Sequence, residues 1–320
     1  MEIYLPNSAF LGNIDPFLRK FDPHQPDLLK ISANDKWISV HPMVLAMVAA
    51  LGMRVKPEHI QCDRLEAKSK HYLLRMGLFR MLGLTSDISI VEHEAAGRFI
   101  PLWQIRNADE QSRFISEMIP LLHLAAEPAK TIAYIVSELV RNVIEHARAE
   151  HGAIICAQYY PKSNAIRIGI ADTGVGIKHS INQSYTTQTD LEAMQLALTP
   201  GITGTTRKEG GTEQNAGAGL FFIKSIAKVN RDFFVIYSGQ GLYKLLKKNT
   251  VSRPKLSADP YSDRHSKEAD LPYWQGTVIG IDMTLDDTED FALLLDEIRK
   301  IYKLAVRERK DIRFRKPRFI

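Results

Sequence analysis

The stretch ELVRNVIEH, residues 138 to 146, sets Glu138, Asn142 and His146 four residues apart, with Arg141 and Glu145 beside them. Each four-residue step along an α-helix rotates by about 40°, so these side chains fan over one narrow polar face. Such a row can do hard-ion and proton chemistry. An amide carbonyl is a suitable oxygen ligand for a divalent cation that keeps most of its waters. A carboxylate one turn away can orient a water or a hydroxyl as a general base. His146 either contacts an anion or packs along its helix, and Glu145 is either a second carboxylate of the site or a solvated position. Arg141 is expected to face solvent or a partner.

Two glycine clusters follow. In ADTGVGI, Asp172 ends an apolar strand and is followed by Gly174 and Gly176, where the chain must turn and approach something closely. A buried carboxylate is costly there unless a donor satisfies it, and the exocyclic amine of a base would do so. In NAGAGLFFIKSIA, Gly217 and Gly219 precede an apolar helix whose first N–H groups and positive terminus suit an anion. Alone, either cluster is equally an ordinary tight turn.

Taken in this order, the Glu–Asn helix, Asp-x-Gly-x-Gly and Gly-x-Gly-Leu opening a helix resemble the GHKL superfamily of ATP-binding domains, over residues 110 to 285. The Glu138, Asn142 and His146 spacing is most similar to the serine kinases that regulate bacterial anti-sigma switches. The resemblance implies ATP and Mg²⁺ as cofactors, with Asn142 as the metal ligand, Glu138 as general base and His146 near phosphate. It implies that Asp172 accepts the adenine amino group and that Gly174 and Gly176 pass beneath the base. Gly217, Gly219 and Leu220 would wrap the phosphates, and Thr277 in GTVIGI would lie near adenine. Lys208 and Arg207 either reach the phosphates or remain solvated loop charges. Phe221 stands where many histidine kinases carry another glycine, and no Ser-His-Glu-type phosphoacceptor motif lies upstream, so self-phosphorylation on histidine is not expected.

The elements that must position these residues read as α+β. Past a break at Pro128, a helix from near Ala129 places Ile132, Val136, Leu139, Val140, Val143 and Ala147 on one apolar arc. GAIICAQYY and AIRIGIADTGVGI form a hairpin through PKSN, and Ile166, Ile168 and Ile170 share one side of its second strand. DFFVIYSG, YKLLKK and GTVIGIDMTL supply further strands. The expected architecture is a Bergerat-type fold, with helices packed on a mixed, mainly antiparallel sheet, preceded by a small α/β domain over residues 1–105. That domain alternates DLLKIS, WISVHPMVLAMVAALG, HIQCD and AKSKHYLLRMGLFRMLG, and loosely resembles STAS-like regulatory modules in element order. The ATP-binding domain is expected over 106–286, with a glycine-rich lid at 178–216 and an insertion at 248–275 that has no assigned role. A C-terminal helix and basic tail fill 287–320.

Composition limits the function classes. With 45% hydrophobic and 25% charged residues the chain has the balance of a globular protein, and no run approaches the ~20 apolar residues of a membrane span. A cytoplasmic location without membrane contact is therefore expected. Cys62 and Cys156 are the only cysteines, which excludes a disulfide framework or a four-cysteine zinc site, and both are expected to be buried thiols. His93 and Glu94 begin a zinc-protease pattern that Gly97 breaks. From Arg299 to Ile320 ten Lys or Arg face two acids, a local +8 in a chain of net +5, leaving −3 for the rest. Residues 307–320 could grip phosphates of nucleic acid or an acidic protein surface, or simply be solvated.

Candidate partners are ATP, a protein of the anti-sigma or STAS type or an operon neighbour, nucleic acid through the tail, and a second copy of the chain. Two function classes fit. The chain transfers the ATP γ-phosphate to a Ser or Thr of a partner or to water, or it is an ATP-gated interaction module with little turnover. A nucleic-acid-associated ATPase rests on the tail alone.

Overall fold

The computed structural model describes residues 1–63, 70–85, 98–208, 210, 217–247, 254–285 and 290–313. His93, Glu94, Gly97, Gly211, the beginning of the insertion and the tail beyond residue 313 lie outside them. The N-terminal part contains β1 (Glu2–Leu5), β2 (Ser8–Ala9), α1 (Asp15–Arg19), β3 (Leu29–Ala33), β4 (Ser39–Val40), α2 (Pro42–Gly52), β5 (Ile60–Asp63), α3 (Lys70–Arg75) and α4 (Leu78–Met81). Strands β1, β3 and β5 make a parallel sheet, and β2 pairs with β4. Gly77, with φ of 77°, separates α3 from α4, so the segment read as one helix is two.

The larger part begins with β6 (Phe99–Ile105), α5 (Ala108–Glu117), α6 (Ala126–Asn142), β7 (Ala153–Tyr160) and β8 (Ala165–Ala171). It continues through α7 (Gly176–Asn182), α8 (Asp190–Ala197), α9 (Gly219–Val229), β9 (Phe234–Gly239), β10 (Gly241–Leu245), β11 (His265–Glu268), β12 (Trp274–Thr284) and α10 (Phe291–Arg313). Its seven strands run in the order β11-β10-β9-β12-β8-β7-β6, and every pairing is antiparallel. The molecule is thus α+β, with helices on a large antiparallel sheet, as a GHKL fold requires. The parallel pairings are confined to the small sheets. Strand β6, just before the expected boundary at residue 105, is hydrogen-bonded into the large sheet through β7.

Both faces of that sheet are covered. Ile166, Ile168 and Ile170 point from β8 into a core shared with α6, α9 and α10. The opposite face receives α2, all eleven of whose residues are buried. An all-round apolar helix is stable only where every side is covered, and α2 meets this condition by lying between the small and large sheets. Gly169 of β8 and Gly280 of β12 are cross-strand partners, and a Cβ at Gly169 would collide with the backbone of Pro42 and Met43. These two glycines form the trough in which the N-terminus of α2 lies. His41 caps that helix, its Nδ1 accepting from Met43 N at 3.0 Å, while its Nε2 sits 3.1 Å from Asp282 of β12.

Two local expectations change. Helix α6 starts at Ala126 rather than near Ala129, with Pro128 inside its first turn. The first helical N–H groups have no intrahelical acceptor, so a proline there removes nothing. Cys156 is fully buried and donates to Pro42 O, but Cys62 is only half-buried on the small sheet. The insertion also gains a role. Its Asp263 pairs with buried Lys224 at 2.6 Å and with Lys228, both on α9, and Tyr261 donates to Leu191 O of α8 at 3.0 Å. It therefore staples α8, α9 and the sheet edge together.

Candidate nucleotide site

The α6 helix presents the polar face read from its sequence. Its apolar arc is buried as expected, which forces the opposite stripe outward. After Asn142 the helix passes into a π-helical turn, Val143–Ala147, that ends at Arg148 with φ of 50°. Such turns shift the helical register by one residue and concentrate at functional sites. Glu138, Asn142 and His146 all line a cavity of about 360 Å³, a size suited to a small-molecule ligand. The walls come from α6, the ends of β8 and β12, α7 and the start of α9, with Asp172, Gly176, Gly217, Gly219, Leu220 and Thr277 among the lining residues.

Asp172 is one of these walls. It is 2% exposed, and its Oδ1 accepts from Gly174 N at 2.8 Å. Its backbone N–H donates to Thr277 O at 2.9 Å, and Trp274 Nε1 donates to its carbonyl at 3.1 Å, so the residue is fixed between β8 and β12. Burial pushes its carboxyl up to about 7, opposed in part by backbone N–H donors. A carboxylate so poor in partners is an acceptor waiting for a donor. Gly174 is not a wall of the cavity, since it packs on the Ala147 carbonyl, where a Cβ would collide. Gly176 takes φ of 78° and starts α7.

Gly219, another wall, begins α9. A Cβ there would stand 2.5 Å from Glu138 Oε2, so the start of this helix lies directly against the carboxylate. The unpartnered N–H groups of the first turn make that spot an anion site. Glu138 is 8% exposed, and burial, the largest influence, raises its carboxyl above the ordinary value. Arg141 opposes that shift: its Nη2 is 2.6 Å from Glu138 Oε2, and its Nε is 3.9 Å from Glu145 Oε1. Arg141 therefore lines the cavity and holds the carboxylate instead of facing only solvent. Its i,i+3 spacing from Glu138 was the available sequence signal. His146 lines the wall 3.8 Å from Glu145, and burial lowers its imidazole below the usual value.

Asn142 Nδ2 is buried and has no hydrogen-bond partner. Turning the amide over would lose no bond at that atom and would place its oxygen in the cavity. The site thus fits a hard cation through one amide oxygen. Among the described residues no three His, Cys, Asp or Glu side chains come together as a metal cage, so such an ion would take its remaining ligands from phosphate and water. Lys208 is exposed and does not line the cavity, and Arg207 is turned away, donating from Nε to Ser184 O. Arg141, Arg148, Thr203 and Thr205 also line the cavity, which the sequence reading did not assign to them.

Residues 105–231 match a family model described as a histidine kinase-like ATPase domain. No curated protein matches the chain. Among the described residues, no helix is long and apolar enough to cross a membrane. Residues 105–231 are therefore a GHKL-superfamily domain of the histidine kinase-like ATPase type, and ATP is the ligand of their class.

Proposed function

We propose that the protein is a Mg²⁺- and ATP-dependent regulatory enzyme that passes the γ-phosphate of ATP to a Ser or Thr of a protein partner, or to water. The observation that carries this reading is the convergence of Glu138 and Asn142 on the start of α9, in a cavity that Asp172 also lines. Asp172 would accept the adenine amino group, while Thr277 and Gly176 flank it. The first N–H groups of α9, with Gly217, Gly219 and Leu220, would hold phosphate oxygens. Asn142 would be the protein ligand of Mg²⁺, which when bound supplies charge neutralisation at the phosphates. His146 is close enough along the helix to steady the phosphate side.

Glu138 would accept the proton of an attacking hydroxyl or water. As the new O–P bond forms, the bond between the β–γ bridging oxygen and the γ-phosphorus breaks, and its electron pair leaves with ADP. Burial favours this role by raising the carboxyl of Glu138 toward the range of an effective base. The expected partner is a protein, with the N-terminal part that precedes β6 as its regulatory or interaction domain. Location in the cytoplasm follows from this reading.

Glu138→Gln keeps shape and hydrogen bonding but removes basicity. Nucleotide should still bind, while phosphate release or transfer from γ-labelled ATP should fall by roughly 10²-fold or more. Turnover undiminished in the Gln variant would remove Glu138 as base. Partner regulation persisting in that variant would favour an ATP-gated module in which occupancy is the signal.

A further inference from the structure

We infer that Arg141 is the ligand of the terminal phosphate and that it leaves Glu138 to bind it, so that the base is released only when a γ-phosphate is present. The inference rests on the ATP-binding reading and adds a residue to it. Arg141 Nη2 is 2.6 Å from Glu138 Oε2, and the same oxygen faces the start of α9 at Gly219. The guanidinium, the carboxylate and the helix terminus therefore meet at one point. That point, at the N-terminus of α9, suits the last phosphate of the nucleotide.

Three observations favour exchange over a permanent pair. Among the described residues lining the cavity, the fixed cations are Arg141 and Arg148, because Lys208 and Arg207 lie elsewhere. Arg141 is 46% exposed at its side chain, so it can move without unpacking the core. It is also bracketed by a second carboxylate, Glu145, at 3.9 Å, which keeps it over the cavity when it releases the first. A guanidinium binds phosphate oxygens in a bidentate fork, and a terminal phosphate carries more charge than a carboxylate. ADP lacks that group, so with ADP bound Arg141 stays on Glu138 and the carboxylate remains occupied.

Calorimetric titration of the full-length wild-type protein, Arg141→Gln and Arg141→Lys with MgATP and with MgADP tests this. The Gln variant should bind MgATP about 10- to 100-fold more weakly, the factor for one charge-assisted hydrogen bond, and MgADP as the wild type does. Arg141→Lys should recover part of the lost ATP preference, because a cation is restored without the fork. Equal weakening toward both nucleotides would make Arg141 a structural residue and overturn the inference, as would unchanged affinity for both. Absence of MgATP binding by the wild-type protein would instead overturn the ATP-binding reading, and the inference with it.

Discussion

The two faces of the seven-stranded sheet are built to opposite rules. On the face covered by α2, the charges from the N-terminal unit are paired across the junction. His41 meets Asp282, Lys244 meets Asp15 and Arg19 meets Glu268, and Arg167 lies 4.1 Å over the ring of Tyr160. On the face covered by α6 and α9, Asp172 is buried with only backbone donors and Asn142 Nδ2 has none. Leaving buried polar groups short of partners costs stability. The molecule accepts that cost where a ligand would supply what is missing, whereas on the other face the charges are paired across the junction and the unbonded Arg167 Nε still lies 3.5 Å from the Asp282 carboxylate. One face is a core in the ordinary sense, and the other is a core left incomplete.

The largest expected effect lies on the closed face. Leu45→Ala on α2 removes a fully buried side chain and should cost about 2–5 kcal/mol, against a total of about 5–15 kcal/mol for a typical domain. Chemical denaturation of both proteins checks this. ATP affinity of the folded variant should be unchanged, and a loss confined to ATP binding would show that α2 serves the site rather than the core.

Next comes the pH dependence of the open face. In the proposed site Asp172 would accept the adenine amine more strongly as a carboxylate, and burial places its carboxyl at about 7. ATP affinity should therefore fall as pH drops below about 7, by up to tenfold per pH unit, and Asp172→Asn should abolish that slope. The sign for stability is the reverse. A carboxyl raised in the folded state contributes stability that is complete below the unfolded value near 4 and is lost as pH rises through 7. Ligand-free Asp172→Asn should thus melt a few degrees above the wild type at pH 8, since the uncompensated charge is gone. A lower melting temperature would mean that the carboxylate is already satisfied.

The smallest effect is expected at the rim of the closed face. Arg19 is 58% exposed at its side chain and Glu268 25%, so Arg19→Ala should change stability by less than about 1 kcal/mol. A larger loss on denaturation would show that the rim holds the N-terminal unit in place.

The open face was largely legible in the sequence because its signals are local. Glu138, Asn142 and His146 repeat at helical spacing, and Asp172 with its glycines occupies one turn. The closed face was not, because a helix such as α2 announces only that it is buried. Nothing local says that Gly169 and Gly280, over a hundred residues apart, form the trough beneath it. Strand β6 was missed for the same reason, since its partner β7 begins 48 residues on from Ile105. Lys208 does not line the cavity, since the path of its loop is set by contacts such as Ser184 Oγ to Gly204 O, which spacing does not encode. Pro128 misled because proline breaks a helix interior but not a first turn.

The central proposal is that the cavity is a nucleotide site in which α6 holds the metal. Titrating wild type and Asn142→Ala with MgATP in a calorimeter tests it most directly. Binding by the wild type and loss of at least tenfold in affinity in the variant are predicted, the discrimination expected when one protein ligand of the cation is removed. Equal MgATP affinity in the two proteins would contradict the assignment of this helix, and no binding to either would contradict the nucleotide site itself.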